Sequence, residues 1–486
     1  MSYSIEQEPN QVTGVNNPMM YVVKESDGAI TGANKFRYII QVQTSTTNNS
    51  GFSTIAKIKI HKNQAGVGII DVSRIIKTYL ETQQINVGNQ ETIDGTIHSI
   101  GISDIGNTYS QNTSQLIGVR ILGGYEKSSG PTTAPVEELA PSGTYTSSIT
   151  YTIPATTPFT QLTLSGGLSV LSGNNPMKFF IPSASTKKFL TNSPRIQFVR
   201  GSSTSADNLD ELTVGFLNKG LITTDIDAIV RIYIEYYNSS GVVIAGTTGG
   251  ATQHYFDNDT SAGGKAIADA MKNSLIYFGC GTNNLQTQGD LPNARPSNFA
   301  NWAYYRIWGA DGSATQETDH YYFYRYGSGA TVDDRHQSCT KYDNIRLAWR
   351  NRLGCWDYMN FRAKSVEDTS ITKEEMASVP GNWDGSLFSY ENSDSGRKVL
   401  YTEANKKLTI NSDLLNEDEA VWLEELFTST DVQILENDIR GSGYGSFVYP
   451  VIVTDKQYTK KTSVNNKAKI QYTIKLEYAN KERTNS

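Results

Sequence analysis

Cysteine, charge and long apolar runs are all scarce in this chain of 486 residues. The three cysteines, Cys280, Cys339 and Cys355, are odd in number and widely spaced, which excludes a disulfide framework and a CxxC zinc pair and predicts buried free thiols. Charged residues are 19% of the chain, below the roughly 25% of an average soluble protein. With a net charge of -6 and a pI near 5.6, a surface devoted to neutralising phosphate backbones is excluded, so no bulk nucleic-acid binding is expected. No run approaches the roughly 18 apolar residues of a membrane-spanning helix, and none is expected to insert. The opening MSYSIEQEPNQ lacks the basic and apolar regions of a signal peptide, so the expectation is a protein made and kept in a cytosol unless an assembly carries it out.

Catalytic spacings are equally scarce. The histidines, His61, His98, His254, His320 and His336, form neither HExxH nor HxH, and His336 with Cys339 finds no further ligand nearby. Asp257-Asn258-Asp259 begins like a calcium loop but lacks the glycine at its sixth position and the glutamate at its twelfth. Glycine clusters such as Gly246-Thr247-Thr248-Gly249-Gly250 are turns rather than phosphate loops, no GxSxG elbow occurs, and Asp210-Glu211 are neighbours that point to opposite faces of a strand. A glycosidase pair assembled from distant positions is the one catalytic arrangement that spacing leaves open. No enzyme activity, cofactor or metal is expected.

What the chain does have is 28 tyrosines, 41 glycines and many Ser, Thr, Asn and Gln residues. That composition, with little helical periodicity, predicts a mainly β protein of about three domains: multidomain β-sandwiches of immunoglobulin or fibronectin type with a few short helices. An N-terminal sandwich is expected over 1–125. In it Phe36, Tyr38, Ile40 and Val42 line one strand face, a second strand runs Ile55 to Ile60, and Asp71 receives the orphan amides of a helix at Ser73 to Leu80. Residues 126–177 form a Ser/Thr/Gly/Pro-rich insertion or arm, either a solvated loop or a grip on a neighbouring subunit. A second sandwich is expected over 178–345, with Val230, Ile232, Ile234 and Tyr236 facing in and Arg231, Tyr233 and Glu235 facing out. The C-terminal β domain, 346–486, carries an amphipathic helix at about 417–429, capped by Asn416 and Glu419, and a half-exposed strand through Ile470, Tyr472, Ile474, Leu476 and Tyr478.

Charge is unevenly spread in that last domain. Lys364 to Arg440 holds 17 acidic against 7 basic residues, -10, whereas Gly441 to Ser486 holds 8 basic against 3 acidic, +5. Solvated faces are one reading. The other is a subunit contact in which Glu417, Asp418, Glu424 and Glu425 of one copy meet Lys456, Lys460, Lys461, Lys467 and Lys469 of the next.

Four stretches carry a resemblance. They are Lys35-Phe36-Arg37-Tyr38 leading to Ile70-Asp71-Val72-Ser73-Arg74-Ile75-Ile76; Lys188-Phe189-Leu190-Thr191-Asn192-Ser193-Pro194-Arg195; Cys339 through Tyr358, with Leu347-Ala348-Trp349-Arg350-Asn351-Arg352-Leu353-Gly354; and Trp422-Leu423-Glu424-Glu425-Leu426-Phe427-Thr428-Ser429 followed by Pro450 to Asp455. Together they resemble virion structural proteins of tailed bacteriophages that infect Bacteroidota. The resemblance implies a tail or neck subunit of a ring, collar, hub or baseplate type, located in the virion after assembly in host cytoplasm. Its expected partners are copies of itself and other tail or neck proteins. The alternative is a receptor- or carbohydrate-binding tail module that takes a host surface glycan on aromatics between Trp302 and Tyr326. A depolymerase is a distant third, since no β-helix repeat is present.

Overall fold

A computed structural model describes residues 3–9, 12–14, 18–45, 51–79, 117–139, 145–153, 196–197, 213–217, 231–247, 250–257, 275–281, 284–285, 292–295, 298–299, 302–310, 313–314, 316, 320–324, 345–350, 356–361, 363–377, 379, 381–389, 391, 396–415, 417–436, 447–462 and 470–485. The chain is mostly β, in several largely antiparallel sheets. The cap Asn416, Cys339 and Cys355 lie outside the described residues.

The N-terminal unit contains β1 (Tyr3–Gln7), β2 (Val12–Gly14), β3 (Met20–Glu25), α1 (Gly28–Thr31), β4 (Asn34–Ser45), β5 (Ser53–Ile60), β6 (Val67–Asp71), α2 (Ser73–Lys77), β7 (Ile117–Ser128), β8 (Val136–Leu139) and β9 (Thr150–Ile153). One sheet has the order β1-β3-β6; the other runs β2-β9-β7-β4-β5, with β8 also on β7. Alternation places Tyr3, Tyr21 and Val23 of the first sheet and Phe36, Tyr38, Ile40, Val42, Val119, Ile121 and Tyr125 of the second in one shared core, closed by Val72 and Ile76 at α2. Ile39, on the opposite face of β4, is buried too; across the pair it meets Lys59, whose ammonium is held by Glu126 at 2.6 Å and Glu137 at 2.8 Å. The boundary expected at 125/126 falls inside β7, and β8 and β9 pair with β7, so the sheet takes in chain as far as Ile153. Residues 154–177 of the expected arm lie outside the described residues.

Two local devices fix this unit. Asp71 accepts from the Met19 amide at 3.0 Å and the Ser73 amide at 2.9 Å, joining the start of α2 to the entry of β3. Burial raises the Asp71 carboxyl, but the bonds from Ser73 and Met19 and the nearby Arg74 outweigh it and leave the group below the ordinary aspartate value. Gly123 lies under the Tyr3 ring, where an added Cβ would stand 2.6 Å from Cζ; at Gly124 it would stand 2.6 Å from the Glu138 carbonyl oxygen. The glycine pair lets β1 and β8 approach β7 from two sides.

The middle unit comprises β10 (Ile196–Gln197), β11 (Thr213–Leu217), β12 (Arg231–Tyr237), β13 (Gln253–Asp257), β14 (Leu275–Gly279), β15 (Tyr304–Ala310) and β16 (Tyr321–Tyr324). A five-stranded sheet of order β10-β16-β15-β12-β13 faces the pair β11-β14, with Phe256 against Phe278 and the Tyr305 hydroxyl donating to the Cys280 carbonyl at 2.5 Å. The turn after β12 is set by Asn238, whose side chain accepts from Ser240 and Val242, and by Gly241 at φ +76°; beyond it the chain returns in a single bridge between Tyr237 and Val243.

The C-terminal unit holds β17 (Ile345–Arg350), β18 (Trp356–Phe361), β19 (Val366–Ala377), β20 (Asn382–Trp383), β21 (Phe388–Ser389), β22 (Arg397–Asn411), α3 (Glu417–Thr428), β23 (Val432–Glu436), β24 (Phe447–Val453), β25 (Thr473–Tyr478) and β26 (Glu482–Asn485). Its main sheet runs β18-β17-β23-β24-β25-β22-β19, with β26 on β22. Ala420, Trp422, Leu423 and Leu426 of α3 are buried with Leu347, Trp349, Val432, Ile434, Val451, Ile474, Leu408 and Ile410 on one face of the sheet. Trp422 Nε1 also donates to the buried Asp357 at 2.8 Å, tying the helix to β18. This unit is a helix on a sheet rather than a sandwich.

Two tests follow from the N-terminal unit. Gly123→Ala should destabilise it by about 1–3 kcal/mol, the cost of forcing a methyl into a filled site. The first thermal transition of the full chain reads this, and Tyr3→Leu in the same background should recover part of the loss; an unshifted transition would mean that Tyr3 does not cover Gly123. Asp71→Ala should cost about 1 kcal/mol near neutrality, the typical price of a lost cap. Because the folded carboxyl titrates below its unfolded value, its contribution is present above the ordinary aspartate range and vanishes as pH falls through the folded value. Denaturation curves of wild type and variant should therefore converge in acid.

Candidate interaction surfaces

The acidic and basic residues of the expected subunit contact lie close together within one chain. On α3, Glu424 is exposed and Glu417 and Glu425 are half-buried, while the side chain of Asp418 lies outside the described residues. Lys456, Lys460 and Lys461 are exposed on the segment 454–462; Lys467 and Lys469 lie outside the described residues. That segment runs against α3: Tyr458 donates its hydroxyl to the Ala420 carbonyl and packs on Phe427, ring centroids 5.0 Å apart. Burial raises the Tyr458 phenol, as do its bond to Tyr472 and the nearby Glu424 carboxylate. Lys461 donates to the Gln471 carbonyl at 2.7 Å and lies over the Tyr472 ring. The acidic helix and the basic segment are thus neighbours within one chain, in contact through Tyr458.

The aromatic stretch in the middle unit divides by strand alternation. Trp302, Tyr305 and Ile307 turn into the core with Tyr236, Phe299 and Phe323. The opposite face carries Tyr233, Glu235 and Tyr237 of β12 beside Trp308, Arg306 and Tyr304 of β15 in direct register. Tyr233 and Glu235, expected to face solvent, are buried, because neighbours on the same face cover them. Tyr237 stacks on Tyr304 with planes 4° apart, Tyr233 on Trp308 with planes 10° apart, and the Arg306 guanidinium lies over both Tyr237 and Trp308. Glu235 accepts from Arg306 Nε at 2.7 Å, from Gln253 at 3.2 Å and from the Tyr237 hydroxyl. Burial and that bond raise the Tyr237 phenol.

Sugar stacking needs an open ring face, and here the faces are spent on one another: Trp308 is 6% exposed and Tyr233 7%. Glu235 is engaged by three donors of its own sheet, Arg306, Gln253 and Tyr237. No group of three metal-ligating side chains occurs among the described residues, and Cys280 is a buried free thiol whose ionisation burial suppresses.

A third surface had no sequence signal. β19 and β22 pair over 12 residues of β19, and every residue of β19 is exposed. Beyond the core residue Leu408 the two strands leave the domain as an arm, joined by β26 along Tyr401–Ala404 and then continuing as two strands. Its tip pairs β20 with β21 across a turn in which Asp384 accepts from Ser386 and Leu387 amides and Gly385 adopts φ +98°. Of the 17 large hydrophobics exposed among the described residues, nine lie between Val366 and Leu400, including Trp383, Leu387 and Phe388 at the tip. So dense an apolar set on a ribbon exposed on both faces marks an interaction surface.

No protein-family model matches the chain, and no curated protein matches it.

The partly buried ion pair of Arg306 with Glu235 gives a test of the aromatic face. Glu235→Leu should destabilise the chain by about 3 kcal/mol because it leaves Arg306 without its carboxylate, whereas Glu235→Leu with Arg306→Met should cost markedly less. Denaturant midpoints of the three proteins decide; equal loss in the single and double variants would show that the pair is not the organising contact.

Proposed function

We propose that the protein is a structural component of a bacteriophage virion, a tail or neck subunit that works in a symmetric oligomer. The observation that carries this reading is the arm between β19 and β22. A two-stranded ribbon open on both faces is marginal alone in water. One that also presents Trp383, Leu387 and Phe388 to solvent is suited to being covered by another subunit. The other features agree with it: layered β units, an engaged rather than open aromatic face, and the resemblance of the Lys35–Tyr38, Lys188–Arg195, Leu347–Gly354 and Trp422–Ser429 stretches to virion proteins of phages infecting Bacteroidota. The tail or neck position comes from that resemblance alone. A glycan-binding tail module is the weaker reading, since the ring faces it needs are stacked.

The test has two readouts. Native mass spectrometry of the purified full chain should give one discrete oligomer, and mass spectrometry of purified particles from a lysed host culture should find the chain in stoichiometric amount. Absence from particles would refute the virion assignment, and a monomer at every concentration would refute the oligomer.

A further inference from the structure

We propose that the arm of one copy docks head to tail on the lysine segment 454–462 of a second copy, with the tip residues Trp383, Leu387 and Phe388 as its apolar anchor. This rests on the assembly reading above and supplies the contact that reading lacks.

The placement along β22 carries the argument. At one end of that strand, Arg397 to Ala404 belong to the arm. At the other end, Thr409 and Asn411 pair with Lys475 and Thr473 of β25, and the Ser412 amide donates to the Tyr472 carbonyl. The lysine segment is fastened at that same end: the Thr454 amide donates to the Lys475 carbonyl, the Lys475 amide to Asp455, and the Tyr472 hydroxyl to the Thr459 carbonyl. A strand of 15 residues is roughly 50 Å long. The arm tip, beyond Arg397, and the lysine segment, at Asn411, are thus at opposite poles of one stiff strand, and a chain cannot bring its own two together. Its neighbour can.

The charges are complementary. From Ile371 to Ala404 the arm has six acidic and three basic residues, -3, half of the net charge of the chain; Thr454 to Thr462 has three lysines and one aspartate, +2. Lys456 and Lys460 are exposed beside the half-buried rings of Tyr458 and Phe427, with Glu424 on the helix side, so the segment itself offers lysines and apolar area to an acidic arm with an apolar tip. Unlike surfaces at opposite poles make a heterologous contact, which closes into a ring when the rotation per step permits.

Sedimentation velocity on the full chain tests this with three variants at exposed positions, each checked for an unchanged circular dichroism spectrum and melting curve. These are the tip triple Trp383→Ser, Leu387→Ser, Phe388→Ser; the single Glu374→Lys; and the double Lys456→Glu, Lys460→Glu. The tip and lysine variants should each weaken association at least about tenfold, as expected for residues at the centre of a contact. The Glu374→Lys effect should be smaller and largest at low salt. Mixing the tip variant with the lysine variant should give dimers and nothing larger, because one intact arm then meets one intact lysine segment. Wild-type assembly in both variants would overturn the arm contact while leaving the assembly reading in place. Failure of the mixture to dimerise would overturn the head-to-tail geometry. A monomeric wild type would overturn the assembly reading itself.

Discussion

Strand β22 carries two incompatible environments, and the C-terminal unit is organised around that fact. Leu408 and Ile410 are buried beneath α3, while Arg397 to Leu400 are exposed. A strand keeps one register along its length, so the pairing that buries Leu408 also fixes how the distal residues meet β19. The bulge between Glu374 and Glu375 relieves the register just beyond the end of β26, where the arm narrows to two strands. The core of the domain is in this sense the foundation of the arm, and Trp422 matters to the arm because its indole, bonded to Asp357, holds α3 on that foundation.

The same division of labour separates stability from association in the middle unit. Its polar and aromatic face looks like a binding surface when read as a list of residues, yet Tyr233, Trp308, Tyr237, Tyr304, Arg306 and Glu235 satisfy one another in cross-strand register. Cross-strand pairs of this kind each add about 0.2–1 kcal/mol, and the partly buried ion pair raises the penalty for losing any single member. A surface whose members are mutually satisfied has little left for a partner.

Sequence patterning reveals those elements whose burial is one-sided. Phe36, Tyr38, Ile40 and Val42, and again Ile470, Tyr472, Ile474 and Leu476, alternate because one face of their strand meets a core and the other is the more exposed, with Ile39 a buried exception on β4. The helix at Glu417–Thr428 was legible from its apolar stripe for the same reason. In β12, both faces are covered, so alternation misassigned Tyr233 and Glu235 to solvent. In β19, neither face is covered: Val366, Ile371 and Met376 recur at intervals of five, which matches no period of two or 3.6, and the arm left no trace. The continuation of the second sheet of the N-terminal unit through β8 and β9 is hidden by turn-forming composition, which describes a strand packed at Gly124 as readily as a loop. Charge counts found the acidic and basic stretches but not their distances, and the contact of Tyr458 with Ala420 could be seen only in three dimensions.

Exposing a 12-residue strand at the edge of a large sheet invites indiscriminate pairing with any other strand, so a protein that keeps one must limit where it is adhesive. β19 does so with charge: Glu367, Asp368, Lys373, Glu374 and Glu375 line the edge, and any second acidic strand laid along it would be repelled. Trp383, Leu387 and Phe388 gather at the tip, where the turn held by Asp384 and Gly385 joins β20 to β21 and so places Trp383 beside Phe388. Preorganisation of that kind lowers the entropy lost on docking. In the proposed docking, an edge made unattractive by charge and a tip bearing aromatic area would restrict association to one geometry, which is the requirement for a closed oligomer rather than an open aggregate.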